Sequence, residues 1–136
     1  MDRDRVTLVR AGELTDTAPY AYAALPPAGS RLVFTAGACP LDEEGATVAP
    51  GDVAAQAEQV MANLRTALRA AGADLDDVVK STVYVASHRR EDLVAAWDVV
   101  RRHFDDHDAP STLLGVAILG YPDQLVEVEA VAALPG

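Results

Sequence analysis

Residues 52–85 read DVAAQAEQVMANLRTALRAAGADLDDVVKSTVYV, and this stretch decides the fold. Val53, Ala57, Val60, Met61, Leu64, Ala67, Leu68 and Ala71 step by three or four, so they share one side of an α-helix. Asp52 is placed to cap its first free N–H groups, and Gly72 to stop it in a left-handed turn. Gln56, Glu58, Gln59, Asn63, Arg65 and Arg69 fall on the other faces. The run VVKSTVYVA at 78–86 is dense in β-branched residues and reads as a strand.

The pattern extends outward in both directions. Glu91 to Phe104 reads as a second helix, with Leu93, Trp97, Val100 and Phe104 on one face. Arg101, Arg102 and His103 occupy its last turn, where cations suit the helix dipole. Thr112 to Leu119 and Leu125 to Ala133 read as strands split by the turn Gly120 to Asp123. Upstream, Val6 to Arg10, Tyr20 to Leu25 and Leu32 to Gly37 read as three more strands, the second closed by Pro26-Pro27.

The order is strand, strand, strand, helix, strand, helix, strand, strand, an α+β pattern in which two helices cover one face of a sheet. Alternation in the last strand sends Val126, Val128 and Ala130 toward the helices and Leu125, Glu127, Glu129 and Val131 away from them. Thr112 to Leu119 is apolar on both faces. With no third helix available, a second subunit is the expected cover for the far side.

Composition narrows the function classes. The 136 residues are half hydrophobic and about a quarter charged, which suits one globular domain over 1–136. A formal net charge of −10 argues against nucleic acid and against an anionic membrane surface as partners. Cys39 is the sole cysteine, so no intramolecular disulfide forms and a reducing cytoplasm is the expected compartment. The start, Met1 to Val6, is charged and unlike a signal peptide, and no apolar run approaches a membrane span.

Few residues carry chemistry. Glu127 and Glu129 share one face of an otherwise apolar strand. Either one of them sits partly desolvated as an acid or base, or both are solvated on an open face. His103 and His107 have metal-ligand spacing, but a helix-capping role explains them better, and no metal is expected. Cys39 has no local base and reads as a small half-buried residue. Ser111 and Thr112 lack a nucleophile elbow, no glycine-rich phosphate loop is present, and Trp97 is spaced like a core residue.

Pro19-Tyr20, LVFTAGACP (32–40), the run 52–85 and GVAILGYPDQLVEVEAVA (115–132) together resemble the RidA/YjgF family, in order and across nearly the whole chain. The resemblance implies a chorismate-mutase-like domain, with two helices on one side of a mixed sheet and three copies joined as a homotrimer with pockets at the seams. It implies hydrolysis of reactive 2-enamino or 2-imino acids without a metal or organic cofactor. It makes Glu127 the catalytic carboxylate, with Tyr20 and Gly37, flanked by Ala36, lining the small-molecule site. The family's substrate-gripping arginine aligns with Ser111, its nearby cysteine with Leu113, and an asparagine of the second helix with Trp97. A serine offers one neutral donor where a substrate carboxylate is gripped by two charged ones. The expectation is therefore a hydrolase acting on an imine, enamine or related molecule other than the usual 2-imino acids. The alternative is a member that binds a small molecule without turning it over. The ribonuclease-like activity also reported in the family ranks last, given the acidic charge.

Overall fold

A computed structural model describes residues 5–136. The charged residues 1–4, part of the segment read above as unlike a signal peptide, lie outside the described residues. The elements are β1 (Thr7–Val9), β2 (Ala23–Leu25), β3 (Arg31–Phe34), α1 (Val53–Ala70), a 3-10 turn (Leu75–Asp77), β4 (Val78–Val85), α2 (Arg90–Phe104), β5 (Ser111–Gly115) and β6 (Val126–Leu134). β1 and β2 pair as a separate two-stranded ribbon. The main sheet runs β3-β6-β4-β5, with β4 and β5 parallel and the other pairs antiparallel. A parallel pair needs a crossover, and α2 supplies it.

The helix in the opening stretch begins and ends where its capping residues indicate. Asp52 accepts from the N–H of Ala55 at 3.0 Å. Gly72 adopts φ +87°, a left-handed conformation that costs glycine little, and lets the Ala73 N–H reach back to Leu68 O at 2.9 Å. The stripe Ala57, Val60, Met61, Leu64 and Leu68 is fully buried against Val126, Val128 and Ala130 of β6 and Val83 and Val85 of β4. This confirms two helices on one face of a mixed sheet. No helix among the described residues is long and apolar enough to cross a membrane.

Several strands are shorter than their sequence pattern, and β1 and β2 pair only over Thr7–Val9 and Ala23–Leu25 instead of Val6 to Arg10 and Tyr20 to Leu25. β5 ends at Gly115 instead of Leu119, because its neighbour β4 ends at Val85 and the Val116 N–H takes the last ladder carbonyl. Ile118 beyond it is 82% exposed. β3 ends at Phe34, and the Thr35 N–H still reaches Ala130 O, after which Ala38 rejoins β6 by bonds in both directions with Val128. Ala36 and Gly37 bulge out of the ladder between these two contacts. The outer face of the sheet carries exposed apolar side chains, with Phe34 73% exposed and Leu32 and Leu114 also open.

Candidate active site

The outer face of β6 presents Glu127 and Glu129, and cross-strand pairing sets Tyr84 opposite Glu127 and Thr82 opposite Glu129. The two carboxylates have different partners. Glu129 accepts from the Tyr84 hydroxyl at 2.6 Å, a contact that raises the Tyr84 pKa because ionising the phenol would set two negative charges together. Glu127 instead accepts two bonds at one oxygen. The Gln124 amide donates to Oε1 at 3.1 Å and the Cys39 thiol donates to the same oxygen at 3.3 Å. Burial first, and then the Glu127 carboxylate, pushes the Cys39 thiol up to about 11.

The bulge at Ala36–Gly37 packs against the other oxygen of Glu127. A Cβ on Gly37 would lie 2.6 Å from Glu127 Cδ and collide with Oε2, so any side chain there would displace the carboxylate from this position. Both loops that reach Glu127 are held by polar side chains of α1. Asn63 donates to Cys39 O at 2.8 Å and to Leu41 O at 2.9 Å, and Gln59 donates to Asn63. Gln56 donates to Ala49 O at 3.3 Å and Asp123 O at 2.9 Å, and accepts from the Leu125 N–H at 2.8 Å. Gln56 is fully buried, although its position off the apolar stripe had suggested an exposed face. Gln124 is also buried, its own carbonyl accepting from the Tyr121 N–H.

The remaining expected site residues gather elsewhere. Tyr20, Trp97, Ser111, Thr112 and Leu113 line a cleft of about 450 Å³ at the edge strand β5. Tyr20 and Trp97 meet edge to face, with ring centroids 6.4 Å apart. Ser111 turns toward the helix layer, within 2.5 Å of the Ser81 hydroxyl, and donates to Ala109 O. Thr112, one residue on, lies on the Glu127 side of the sheet and accepts from Lys80 Nζ at 2.6 Å. Lys80 is a cation on that face, but it pairs with Val131, four residues along β6 from Glu127, roughly 13 Å away. The chain therefore holds Glu127, Gly37 and Ala36 in one group, and Tyr20, Trp97, Ser111 and Leu113 in another.

Neither Gln124 nor Cys39 was assigned to the site from sequence. Gln124 stands in a turn, where a polar residue gives no signal, and Cys39 is 88 residues from the carboxylate it touches. Two of the three histidines have structural partners. His103 bonds Glu58 at 3.1 Å, and His107 Nε2 donates to Val78 O at 2.8 Å. A larger cleft of about 570 Å³, lined by Ser87, His88, Arg89, Arg90 and Gly115 among others, opens at the start of α2 and does not include Glu127.

Comparison with known proteins places this architecture. The family profile described as Endoribonuclease L-PSP matches residues 13–134. The RutC family protein slr0709 of Synechocystis is 36% identical over 110 residues, covering 79% of this chain and 82% of its own. The goat (Capra hircus) protein named 2-iminobutanoate/2-iminopropanoate deaminase is 32% identical over 114 residues, covering 84% and 79%. Among solved structures, the Rid-family protein YyfB of Yersinia pestis superposes with a TM-score of 0.88 at 31% identity, over 96% of this chain and 99% of that one.

Proposed function

The chain belongs to the Endoribonuclease L-PSP family, the RidA/YjgF proteins, and from that premise we propose that it hydrolyses an imine, enamine or related reactive small molecule at a pocket between subunits. The observation that carries this reading is Glu127. It is an ionisable group held by two side-chain donors against a glycine backbone, on a sheet face that carries Glu129, Tyr84 and Lys80 and also exposes Phe34, Leu32 and Leu114. A carboxylate so placed can take a proton from a water that attacks the C=N carbon. It returns that proton to nitrogen to complete the carbinolamine, then carries the carbinolamine's hydroxyl proton to the same nitrogen as the C–N bond breaks, leaving a carbonyl and an amine or ammonia. No metal or organic cofactor takes part in this scheme.

The division of the site residues into two groups supports a shared pocket. A second copy laid on the outer face would cover Phe34 and Leu114 and bring its Tyr20–Trp97 cleft toward Glu127, and the assembly proposed, on the family resemblance, is a homotrimer. The cleft is aromatic and neutral, and Ser111 spends its hydroxyl on Ser81 and Ala109. Such a wall favours a ligand without a carboxylate over the usual 2-imino acids. The same lack of a charged anchor is what favours the second reading, a protein that binds a small molecule without turning it over.

The test supplies freshly generated 2-imino acids and neutral imines to wild type and to Glu127→Gln. Wild type should hydrolyse the neutral imine, and the variant should be slower by about a hundredfold or more. Equal rates in both proteins, at background, would sink the hydrolase reading. Equal affinity of both proteins for the unreacted imine would then favour the binding protein.

A further inference from the structure

We infer that Gln124 and Cys39 are positioning residues that occupy Oε1 of Glu127 and so present Oε2, beside Gly37, to the reacting molecule. This rests on the proposed role of Glu127 and specifies how that role is set up.

A carboxylate has two oxygens and about four acceptor directions, and on an open sheet face it would rotate among them. Here both side-chain donors converge on one oxygen, from Gln124 at 3.1 Å and from Cys39 at 3.3 Å. Gln124 cannot easily follow a moving carboxylate. It is buried, its Oε1 accepts from the Tyr121 N–H at 3.1 Å, and its Nε2 also donates to Val126 O at 3.1 Å. Its loop is pinned on both sides, since Gln56 of α1 holds Asp123 O and the Leu125 N–H. Cys39 is fixed in the same way, because Asn63 of α1 holds its carbonyl. Two loops anchored to one helix thus fix the torsion of one carboxylate.

Oε2 lies where Gly37 has no side chain. Oε2 takes none of the side-chain bonds that hold Oε1, and no buried side-chain oxygen among the described residues lacks a partner, so Oε2 is the oxygen left for a small molecule or water to meet. The arrangement prepares the carboxylate geometrically before any ligand arrives, so less rotational freedom is lost in the reaction. The thiol acts here as a donor, and no step passes through sulfur.

The experiment compares kcat and KM on the neutral imine for wild type, Gln124→Met, Cys39→Ala and Cys39→Ser, with thermal unfolding to confirm that each variant is folded. Gln124→Met should lower kcat about tenfold with KM within about twofold, and Cys39→Ala should lower it by a smaller factor. Cys39→Ser keeps a donor and should restore near wild-type kcat. Wild-type kcat in both Gln124→Met and Cys39→Ala would overturn the inference.

A second readout does not depend on turnover. Cys39 is the single cysteine of the chain, so the S–H stretching band of the infrared spectrum reports this residue alone. The band should lie at lower frequency than that of a free thiol and rise in Glu127→Gln, where the acceptor loses its charge. A free-thiol band unmoved by Glu127→Gln overturns the inference, whatever the kinetics show. An absence of turnover in wild type with a shifted band would sink the hydrolase reading and keep the positioning.

Discussion

Alkylation of Cys39 offers a direct measure of its contact with Glu127. An ordinary thiol of pKa 9.0 is about one-tenth thiolate at pH 8, whereas a thiol pushed to about 11 is about one-thousandth thiolate. At that pH the fraction able to attack iodoacetamide is about a hundredfold lower. Steric access scales the rate at every pH alike but leaves the shape of the pH dependence untouched, so the shape, rising or levelling, is the quantity to follow. The assay measures alkylation of the intact protein by mass spectrometry from pH 7 to about pH 10. Wild type should gain about tenfold in rate per pH unit over that range, with no plateau. In Glu127→Gln the burial persists while the carboxylate's hydrogen bond and charge are gone, so the midpoint should fall yet stay above 9.0. A wild-type plateau near pH 9, or identical profiles in the two proteins, would refute the contact.

Other consequences are equally accessible. Gln56→Leu strips partners from Asp123 O and the Leu125 N–H, and should cost about 2–4 kcal/mol in urea unfolding. Gly37→Ala drives a Cβ into the Glu127 carboxylate, so it should abolish hydrolysis while costing about 1–3 kcal/mol of stability. At Asp74 burial opposes ionisation, but the Leu75 N–H, Arg69 and Arg65 outweigh it and hold the carboxyl below its usual 3.8. The stabilisation is therefore present above pH 3.8 and is lost as pH falls through the lower folded value. Asp74→Asn should be less stable than wild type at neutral pH, and the two should converge as pH falls below the lowered folded value. Sedimentation should give the mass of a trimer of the 14.3 kDa chain, and Phe34→Asp should shift it to monomer.

The helices and the inner sheet face were legible because one physical signal governs them. Apolar residues spaced for a helix, and alternating ones in β6, can bury only one way, and Asp52 and Gly72 mark their ends by backbone chemistry that does not depend on the rest of the fold. Glu127 stood out for a related reason, as a charge within an apolar strand. The end of β5 was not legible, since Val116 to Leu119 has strand composition and only the length of its neighbour decides where pairing stops. Gln56 and Asn63 were hidden because a polar residue off the stripe looks solvent-facing until the loops it holds are placed. The same applies to Ser111, whose direction follows from its register with Ser81 and not from its own neighbours in sequence. Cys39 and Gln124 meet at a carboxylate through tertiary placement, which periodicity does not encode.

The anchoring by α1 has a consequence for how this protein can diversify. Asn63 and Gln56 grip main-chain groups of Cys39, Leu41, Ala49, Asp123 and Leu125, and none of these grips uses a side chain of the loop. Substitutions at positions 39, 41 and 123 can therefore alter what surrounds Glu127 while the loops keep their footing. Changes in α1 have no such latitude, because losing one amide there releases a whole loop. New ligand preferences are open to variation in the loops, and the helix that anchors them is where tolerance runs out.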